Sequence, residues 1–218
     1  LSHFRLLIAD AALQQKDICL LDFKQAYLLA PPSKKRLIKL PHIVEDVCEL
    51  KPGDIYEIEN LYGTSDAGRQ WWLHLCDILI DAGFTRSKND ACVWIGTGDN
   101  FGTVTICTYV DDLAISGTLL EVKTFITLIE ASFNVKTELV TLDTPSRFLG
   151  ANIAKTTAGG FTLDLTIYIE HMLEEAGMID CKPASTPLDP SDTVPKADDD
   201  TPMLDADQAK QYGHISGQ

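Results

Sequence analysis

Two adjacent aspartates, Asp111 and Asp112, lie between two apolar, β-branched runs in the segment TICTYVDDLAIS (residues 105–116). A tight hairpin turn ordinarily takes Asn-Gly or Asp-Gly, because the turn needs a residue that tolerates positive φ. Two carboxylates in contact repel each other unless a cation lies between them. The segment therefore predicts either a solvated turn of unusual composition or half of a metal site.

A third carboxylate, Asp22, ends the short apolar run of residues 18–22, which predicts a buried strand. In a sheet, this strand can lie beside the hairpin that carries Asp111 and Asp112, so that three carboxylates converge. Two Mg²⁺ ions would relieve the repulsion, one activating an attacking hydroxyl and the other steadying the leaving phosphate oxygens. Because Mg²⁺ prefers a few carboxylates plus substrate phosphates, two or three aspartates are the expected number.

Secondary structure is predicted from apolar spacing and from turn residues. Helices are predicted at residues 3–16, 65–84, 119–133 and 167–176. Strands are predicted at residues 18–22, within 91–110 as a hairpin, and at 134–140, 147–156 and 159–165, with short strand-like runs at 37–41 and 55–59. Ser65 or Asp66 can cap the second helix, and Gly83 ends it.

The order of these elements between Asp17 and Ala131 is strand, helix, strand-turn-strand, helix. That order is typical of a split βαβ (ferredoxin-like) arrangement on a mostly antiparallel sheet. We predict an α+β domain over residues 1–180, with its helices on one face of the sheet. Residues 181–218 are predicted to be an acidic, proline-rich linker.

The formal net charge of −14 weakens any nucleic-acid interpretation, because phosphate contacts need Lys and Arg. The charge is concentrated, however: residues 183–207 hold seven aspartates, one lysine and half of the ten prolines, which predicts a solvated, mostly disordered stretch. The rest of the chain is only moderately acidic. Nucleic-acid binding is therefore weakened but not excluded.

Two further classes are disfavoured by composition. The six cysteines are scattered without a C-x-x-C pair, which argues against a structural zinc site and for a reducing compartment. No apolar run approaches the length of a membrane span, and the N-terminus has no signal-peptide pattern. The chain opens in a helical pattern without an initiator Met, so we expect it to be an excerpt of a longer polypeptide.

Several ordered motifs resemble the reverse transcriptases of copia-type LTR retrotransposons. TYVDDLAISG is similar to the Y-V-D-D-L-x-I-x-G hairpin of that family. The blocks LLIADAALQQKDICLLDFKQAYLLA, ENLYGTSDAGRQWW and RFLGANIAKT follow in the family's order, and the C-terminal M-x-x-C-K-P-x-x-T-P pattern is present as MIDCKPASTP. The likeness covers about residues 5–190.

The resemblance implies that Asp22, Asp111 and Asp112 hold two Mg²⁺ ions, for which Mn²⁺ can substitute. It implies that the backbone carbonyl of Phe23 assists the metal that accompanies the incoming nucleotide. An aromatic ring at Tyr27 would lie beneath the nucleotide sugar and collide with a 2′-hydroxyl, which selects deoxynucleotides. The nucleotide-binding residues implied in this way are Phe23, Tyr27, Tyr62 and Gly63.

The resemblance also assigns residues to the primer-template. Tyr109 and Val110 would lie along the primer terminus, and a later hairpin would grip the primer strand. The primer-template residues implied in this way are Tyr109, Val110, Phe148, Leu149 and Gly150.

As a whole, the resemblance implies a polymerase palm with partial fingers, followed by a linker toward a thumb and connection. The implied reaction is RNA- or DNA-templated transfer of dNMP from a dNTP to a primer 3′-OH. The implied partners are a template with its primer, dNTPs, and the integrase and RNase H of a Pol polyprotein, with no membrane. The implied location is a cytoplasmic virus-like particle, with a nuclear stage as a further option.

Three departures from the family pattern keep alternatives open. Leu29-Ala30 replaces the usual Asn-Gly, residues 64–68 read T-S-D-A-G where the family has L-K-Q-A-P, and the basic upstream fingers segment is missing. The isolated chain could therefore be inactive. One alternative is a degenerate, non-catalytic nucleic-acid-binding or structural remnant. Another is a nucleotidyl cyclase, which needs neither a sugar-gating aromatic at Tyr27 nor a primer-grip hairpin.

Overall fold

The computed structural model describes residues 2–39, 53–96, 99–185 and 202–216. It divides into two compact units, Leu1–Leu163 and Asp164–Gln218. Residues 186–201 of the predicted linker lie outside the described residues. Its C-terminal part contains a helix from Ala206 to Ser216, which the linker prediction did not anticipate.

The helices are α1 Ser2–Leu13, α2 Ala26–Leu29, α3 Ala67–Asp81, α4 Leu119–Glu130, α5 Thr166–Glu175 and α6 Ala206–Ser216. The strands are β1 Asp17–Phe23, β2 Arg36–Lys39, β3 Ile55–Ile58, β4 Phe84–Arg86, β5 Val93–Gly96, β6 Thr105–Tyr109, β7 Asp112–Gly117, β8 Val135–Leu139, β9 Ser146–Phe148, β10 Ala151–Lys155 and β11 Phe161–Asp164. The four predicted long helices and the predicted strands are present, with ends that differ by a few residues.

The main sheet has six strands in the order β4-β5-β6-β7-β1-β8, with antiparallel pairing between neighbours. Along the chain, α3 lies between β1 and the β6–β7 hairpin, and α4 lies between that hairpin and β8. Strand β1 therefore lies between β7 and β8, which is the strand order of a split βαβ unit. This arrangement puts the end of β1 directly beside the start of β7.

Strand β1 is apolar at most positions, and its side chains are buried on both faces of the sheet. Such a strand needs an apolar layer on each side. Cys19, Leu21 and Phe23 pack with side chains of α3 and α4. Ile18 and Leu20 pack in a second cluster, which includes side chains of α1 and of β9 and β10. The prediction that the helices lie on one face is therefore wrong for α1, since the alternate residues of β1 need their own apolar cover.

Two shorter sheets account for the remaining strands. One of them is the antiparallel pair β2–β3, which corresponds to the short strand-like runs predicted at residues 37–41 and 55–59. Residues 40 and 41 lie outside the described residues. The predicted strand of residues 147–156 is divided into β9 and β10. Leu149 and Gly150 form the turn between them with φ of 49° and 81°.

Burial explains the chemistry of the cysteines. The described cysteines are free, and burial raises the pKa of Cys19 to about 11 and that of Cys107 to about 12. Such thiols stay protonated and behave as small apolar side chains. Separately, no helix among the described residues is long and apolar enough to span a membrane.

Helix α4 begins with a reciprocal capping box. The Thr118 hydroxyl accepts a hydrogen bond from the Glu121 N–H, and the Glu121 carboxylate accepts one from the Thr118 N–H at 3.1 Å. The same carboxylate accepts from the backbone N–H of Thr103, at 3.2 Å, and from its hydroxyl. Burial raises the pKa of Glu121, but these hydrogen bonds outweigh it and lower the pKa from 4.5 to about 2.

Replacing Glu121 by glutamine should lower the free energy of unfolding by about 1 kcal/mol at pH 7, because a neutral amide oxygen accepts the hydrogen bonds from Thr103 and Thr118 less strongly than the carboxylate does. Because the folded pKa lies below the unfolded value, the carboxylate stabilises the fold above pH 4.5, and this contribution is lost as the pH falls toward 2. The difference between the two proteins should therefore shrink over that range, as measured by urea unfolding. The control is Glu130→Gln at the exposed C-terminal end of α4. An equal effect of both substitutions at pH 7 would contradict the capping role.

Candidate active site

Asp22 and Asp112 face each other across two neighbouring strands. They are Cα partners in the antiparallel pairing of β1 with β7. Directly opposite residues point to the same face of a sheet, with Cβ atoms about 4.5–5.5 Å apart. That face is the one covered by α1, because Leu20 and Ala114, each two residues away, belong to the cluster that contains α1 side chains. The two carboxylates therefore share one half-buried position.

The electrostatics of this pair are unfavourable in the protein alone. The pKa of Asp112 is raised, first by its burial and then by the negative charges of Asp111 and Asp22. Three carboxylates are therefore close enough to influence one another. Asp111 itself is half-buried in the turn before β7.

The turn between β6 and β7 consists of Val110 and Asp111, since Tyr109 pairs with Asp112. The turn therefore lies one residue earlier in the chain than the Asp111-Asp112 position expected from the sequence. Val110 has φ of 57°, the left-handed conformation that a β-branched residue rarely adopts. Such backbone strain costs of order 1–3 kcal/mol and persists only where the surroundings hold it.

Two donors hold this turn. The indole Nε1–H of Trp71 donates to the Val110 carbonyl at 2.7 Å, and the Phe23 N–H donates to the Asp111 carbonyl at 3.0 Å. Trp71 and Phe23 are 1% exposed, and their rings meet edge to face with centroids 5.0 Å apart. Sequence analysis missed Trp71, because its apolar spacing on α3 identified it only as a core residue.

Two cations lie beside the carboxylate pair. Lys136 on β8 is the Cα partner of Asp22 on the side opposite Asp112. Lys136, Arg147, Asp22 and Asp112 line one cavity of about 210 Å³, together with Leu20, Leu21, Glu138 and Phe148. Guanidinium and ammonium groups bind phosphate oxygens by charge-assisted hydrogen bonds. Sequence analysis missed both cations, because only the pairing of β1 with β8 brings Lys136 to Asp22.

The donor set suits a hard divalent cation in part. Carboxylate oxygens are the ligands that Mg²⁺ prefers. Burial and then the charges of Asp111 and Asp22 raise the pKa of Asp112, an effect that a bound cation would oppose. Over the four described ranges, however, no group of three or more His, Cys, Asp or Glu side chains is arranged to hold a metal ion. The carboxylates therefore fit a metal that completes its shell with substrate phosphates and water rather than an all-protein cage.

The residues assigned to the nucleotide form a second group. The rings of Tyr27 and Tyr62 pack with centroids 5.0 Å apart, and Tyr62 is 53% exposed. Gly63 has φ of 89°, which favours glycine at that position. Phe23, the fourth residue of the set, is buried beside the carboxylates, and its N–H bonds to the Asp111 carbonyl.

A polar network fixes the loop that carries Tyr62. Arg36 forms an ion pair with Asp66 and donates to the Asn60 side-chain oxygen at 3.2 Å. The Ser33 hydroxyl also donates to Asp66, and the pKa of Asp66 is lowered by this hydrogen bond and by Arg36. Asp66 precedes α3 but makes no side-chain capping bond, because its carboxylate is occupied by Ser33 and Arg36.

The residues assigned to the primer form a third group. Tyr109 and Val110 are about half exposed, at 58% and 47%. Tyr109, Phe148 and Leu149 line one cavity of about 160 Å³. Phe148 packs against Phe4 of α1, with ring centroids 4.5 Å apart. Since Phe148 also lines the carboxylate cavity, these residues are adjacent to the aspartates.

Comparison with protein families gives one match that covers most of the chain. Residues 1–190 match the family described as reverse transcriptase (RNA-dependent DNA polymerase).

Three curated proteins are similar in sequence. The chain is 25% identical over 195 residues to the retrovirus-related Pol polyprotein from transposon TNT 1-94 of Nicotiana tabacum, which is 86% of this chain and 14% of that protein. It is 31% identical over 148 residues to the Pol polyprotein from transposon RE1 of Arabidopsis thaliana, which is 66% of this chain and 9% of that protein. It is 42% identical over 83 residues to an uncharacterized mitochondrial protein of Arabidopsis thaliana, which is 37% of this chain and 32% of that protein. The chain thus spans less than a third of each of these relatives.

Proposed function

The chain belongs to the reverse transcriptase (RNA-dependent DNA polymerase) family, in the form found in copia-type retrotransposons, and from this premise we propose that it is a polymerase fingers-palm core. The proposed reaction is transfer of dNMP from a dNTP to the 3′-OH of a primer on an RNA or DNA template. The observation that carries the proposal is the pairing of Asp22 with Asp112 on neighbouring strands, with Asp111 in the adjoining turn.

In this proposal, Asp22, Asp111 and Asp112 hold two Mg²⁺ ions, which supply activation of the 3′-hydroxyl and charge stabilisation on the phosphates. The pKa of Asp112, raised by burial and then by the charges of Asp111 and Asp22, supports this role, because a bound cation would offset both effects. Phe23 contributes its backbone carbonyl beside the same site.

The side chains around the carboxylates provide binding and orientation. Lys136 and Arg147 lie in the same cavity and can contact phosphate oxygens of the substrates. Tyr27, supported by the ring of Tyr62, limits the space beneath the sugar and so disfavours a 2′-hydroxyl. Gly63 lets the backbone approach the base pair closely. The rims formed by Tyr109, Val110 and residues 148–150 lie along the primer in this scheme.

The wider context follows from the family. Both Pol polyprotein relatives are far longer than this chain, so we propose that it works as one segment of a polyprotein with integrase and RNase H segments. Its proposed setting is a cytoplasmic virus-like particle with a nuclear stage. The acidity of residues 183–207 would then be balanced by basic surface elsewhere in the polyprotein.

A non-catalytic remnant is the second candidate. Two observations favour it: no three-residue metal-ligand group in the described residues, and a net charge of −14. The three aspartates and the phosphate-binding side chains beside them favour the polymerase. The two candidates differ in whether a nucleotide-dependent metal site exists.

Mn²⁺ titration by calorimetry in the presence of dTTP, followed by primer extension, tests the proposal. We expect a metal site in the full chain that needs the nucleotide and that Asp22→Asn weakens at least about tenfold, since one charged ligand is lost. The matched control is Asp77→Asn, an exposed aspartate of α3. The acidic tail is present in the wild type and in both variants, so weak Mn²⁺ binding by that tail contributes equally to the three titrations. Identical titrations for wild type and both variants, without primer extension, would favour the remnant.

A further inference from the structure

The β6–β7 turn is held in a form that its own sequence disfavours. Four non-glycine residues of the described chain have positive φ, and among them Val110 is the β-branched one. Of the two turn residues, Val110 has positive φ and Asp111 does not, and a position with positive φ in a two-residue hairpin turn ordinarily has glycine, asparagine or aspartate. Local sequence therefore does not account for the conformation of the segment that precedes Asp112.

The carbonyl of Val110 determines the orientation of Asp111. This carbonyl belongs to the planar peptide that joins Val110 to Asp111, so fixing its oxygen fixes the plane from which Asp111 departs. Types I′ and II′ differ in whether the second turn residue also has positive φ, which requires a rotation of this same peptide. Rotation would therefore redirect the Asp111 backbone and side chain.

The donor to this carbonyl is a buried side chain. Trp71 Nε1–H lies 2.7 Å from the Val110 oxygen, and the indole is fixed among core residues at 1% exposure. Its ring also packs edge to face on Phe23, the residue that follows Asp22 and that donates to the Asp111 carbonyl. One tryptophan thus contacts the segments that carry both halves of the carboxylate site.

We propose that Trp71 is a positioning residue of the candidate active site: its indole N–H holds the Val110–Asp111 peptide in the orientation that directs Asp111 toward Asp22 and Asp112. Trp71 contacts neither metal nor substrate in this scheme and acts through the turn. The inference rests on the proposed function, because its consequence is a change in metal affinity.

The test is Trp71→Phe, which keeps an aromatic ring and removes the N–H. The matched control is Trp72→Phe, since Trp72 is the neighbouring half-buried tryptophan and its ring lies against the Arg86 guanidinium, 5.5 Å from its centroid. Mn²⁺ affinity with dTTP present should fall about tenfold in Trp71→Phe, the usual scale for groups that orient metal ligands. It should change less than twofold in Trp72→Phe, and amide exchange of residues 110–112 should accelerate in Trp71→Phe alone.

A volume effect is separated from the hydrogen bond in two ways. Benzothienylalanine at position 71 keeps the shape of tryptophan with sulfur in place of N–H, and it should reproduce the loss even if the smaller phenylalanine destabilises the fold. The second is the double variant Trp71→Phe/Val110→Gly. Its Mn²⁺ affinity should lie within about threefold of that of the Val110→Gly single variant, because glycine adopts positive φ without the indole hydrogen bond.

The outcomes separate the two proposals. A wild-type chain without a nucleotide-dependent Mn²⁺ site would overturn the polymerase proposal and this inference with it. A wild-type chain with such a site, but with equal affinities in the Trp71 and Trp72 variants and in the benzothienylalanine protein, would overturn this inference alone.

Discussion

Replacing Asp112 by asparagine should stabilise the metal-free protein and nearly abolish nucleotide addition. Asparagine has the same shape, but it removes the charge that burial, Asp111 and Asp22 make unfavourable. Like charges directly opposite on neighbouring strands destabilise a sheet by up to about 1 kcal/mol. Removing one of them should therefore raise the Tm by about 2–4 °C for a chain of this size.

The effect on activity should have the opposite sign. If Asp112 binds the metal as proposed, its loss removes several kcal/mol of charge stabilisation, and about 4 kcal/mol corresponds to roughly a thousandfold in rate. Mg²⁺ should likewise raise the Tm of the wild-type chain in the presence of dTTP and leave that of Asp112→Asn unchanged, because only a ligand that binds the folded state stabilises it.

Differential scanning calorimetry with and without Mg²⁺, beside primer extension, measures both effects. Asp77→Asn on the exposed face of α3 is the matched control and should change neither quantity. A metal-free Asp112→Asn protein that melts below the wild type would mean that the carboxylate contributes to the fold rather than opposing it. The interpretation of Asp112 as a cation ligand would then lose its main physical support.

Replacing Gly96 by alanine should cost at least about 3 kcal/mol, at the upper end of the range for overpacking. A Cβ atom at Gly96 would overlap the Phe101 carbonyl oxygen and lie 2.8 Å from its carbonyl carbon. These are backbone atoms, and the Phe101 ring is fixed in the core, stacked on Phe84 with centroids 5.3 Å apart. Relief of the clash therefore requires Phe101 to move out of the core.

The expected fall in Tm is about 6–12 °C, which is large beside the 5–15 kcal/mol of total stability of an ordinary domain. Gly68→Ala is the matched control. Its added Cβ meets the Tyr27 hydroxyl at an ordinary 3.6 Å, and alanine is the better helix former at this position in α3. Thermal melts of the two variants should therefore shift in opposite directions. A common small shift would show that the hairpin yields easily at Gly96.

Local patterns in the sequence accounted for most elements of the fold. Helical spacing located α3 and α4, and apolar runs located β1 and the β6–β7 hairpin. These signals succeed because each depends on a few neighbouring residues that share one face. They failed at Leu149-Gly150, where positive φ ends one strand and starts another within the single strand predicted for residues 147–156.

The surroundings of the carboxylates were less accessible to sequence reasoning. The sequence alone predicts Lys136 to be an exposed residue of a short strand. Only the register of β8 against β1, which pairs Lys136 with Asp22, shows that it lies beside the carboxylates. Trp71 reads as a core residue, and its contact with the Val110 carbonyl spans 39 positions of the chain. Arg36 reads as part of a solvated basic cluster, although it pairs with Asp66 at the start of α3.

The sequence by itself determined the family, the α+β class and the order of the elements, and it is the source of the proposal that the three aspartates form the site. All of these reside in contiguous motifs and short periodic patterns. Only the tertiary structure decided that Asp22 lies opposite Asp112, that the turn is Val110-Asp111, and that α1 covers the second face of the sheet. Strand register, turn form and face depend on contacts between segments far apart in the chain, where a shift of one residue would reverse which side chains meet.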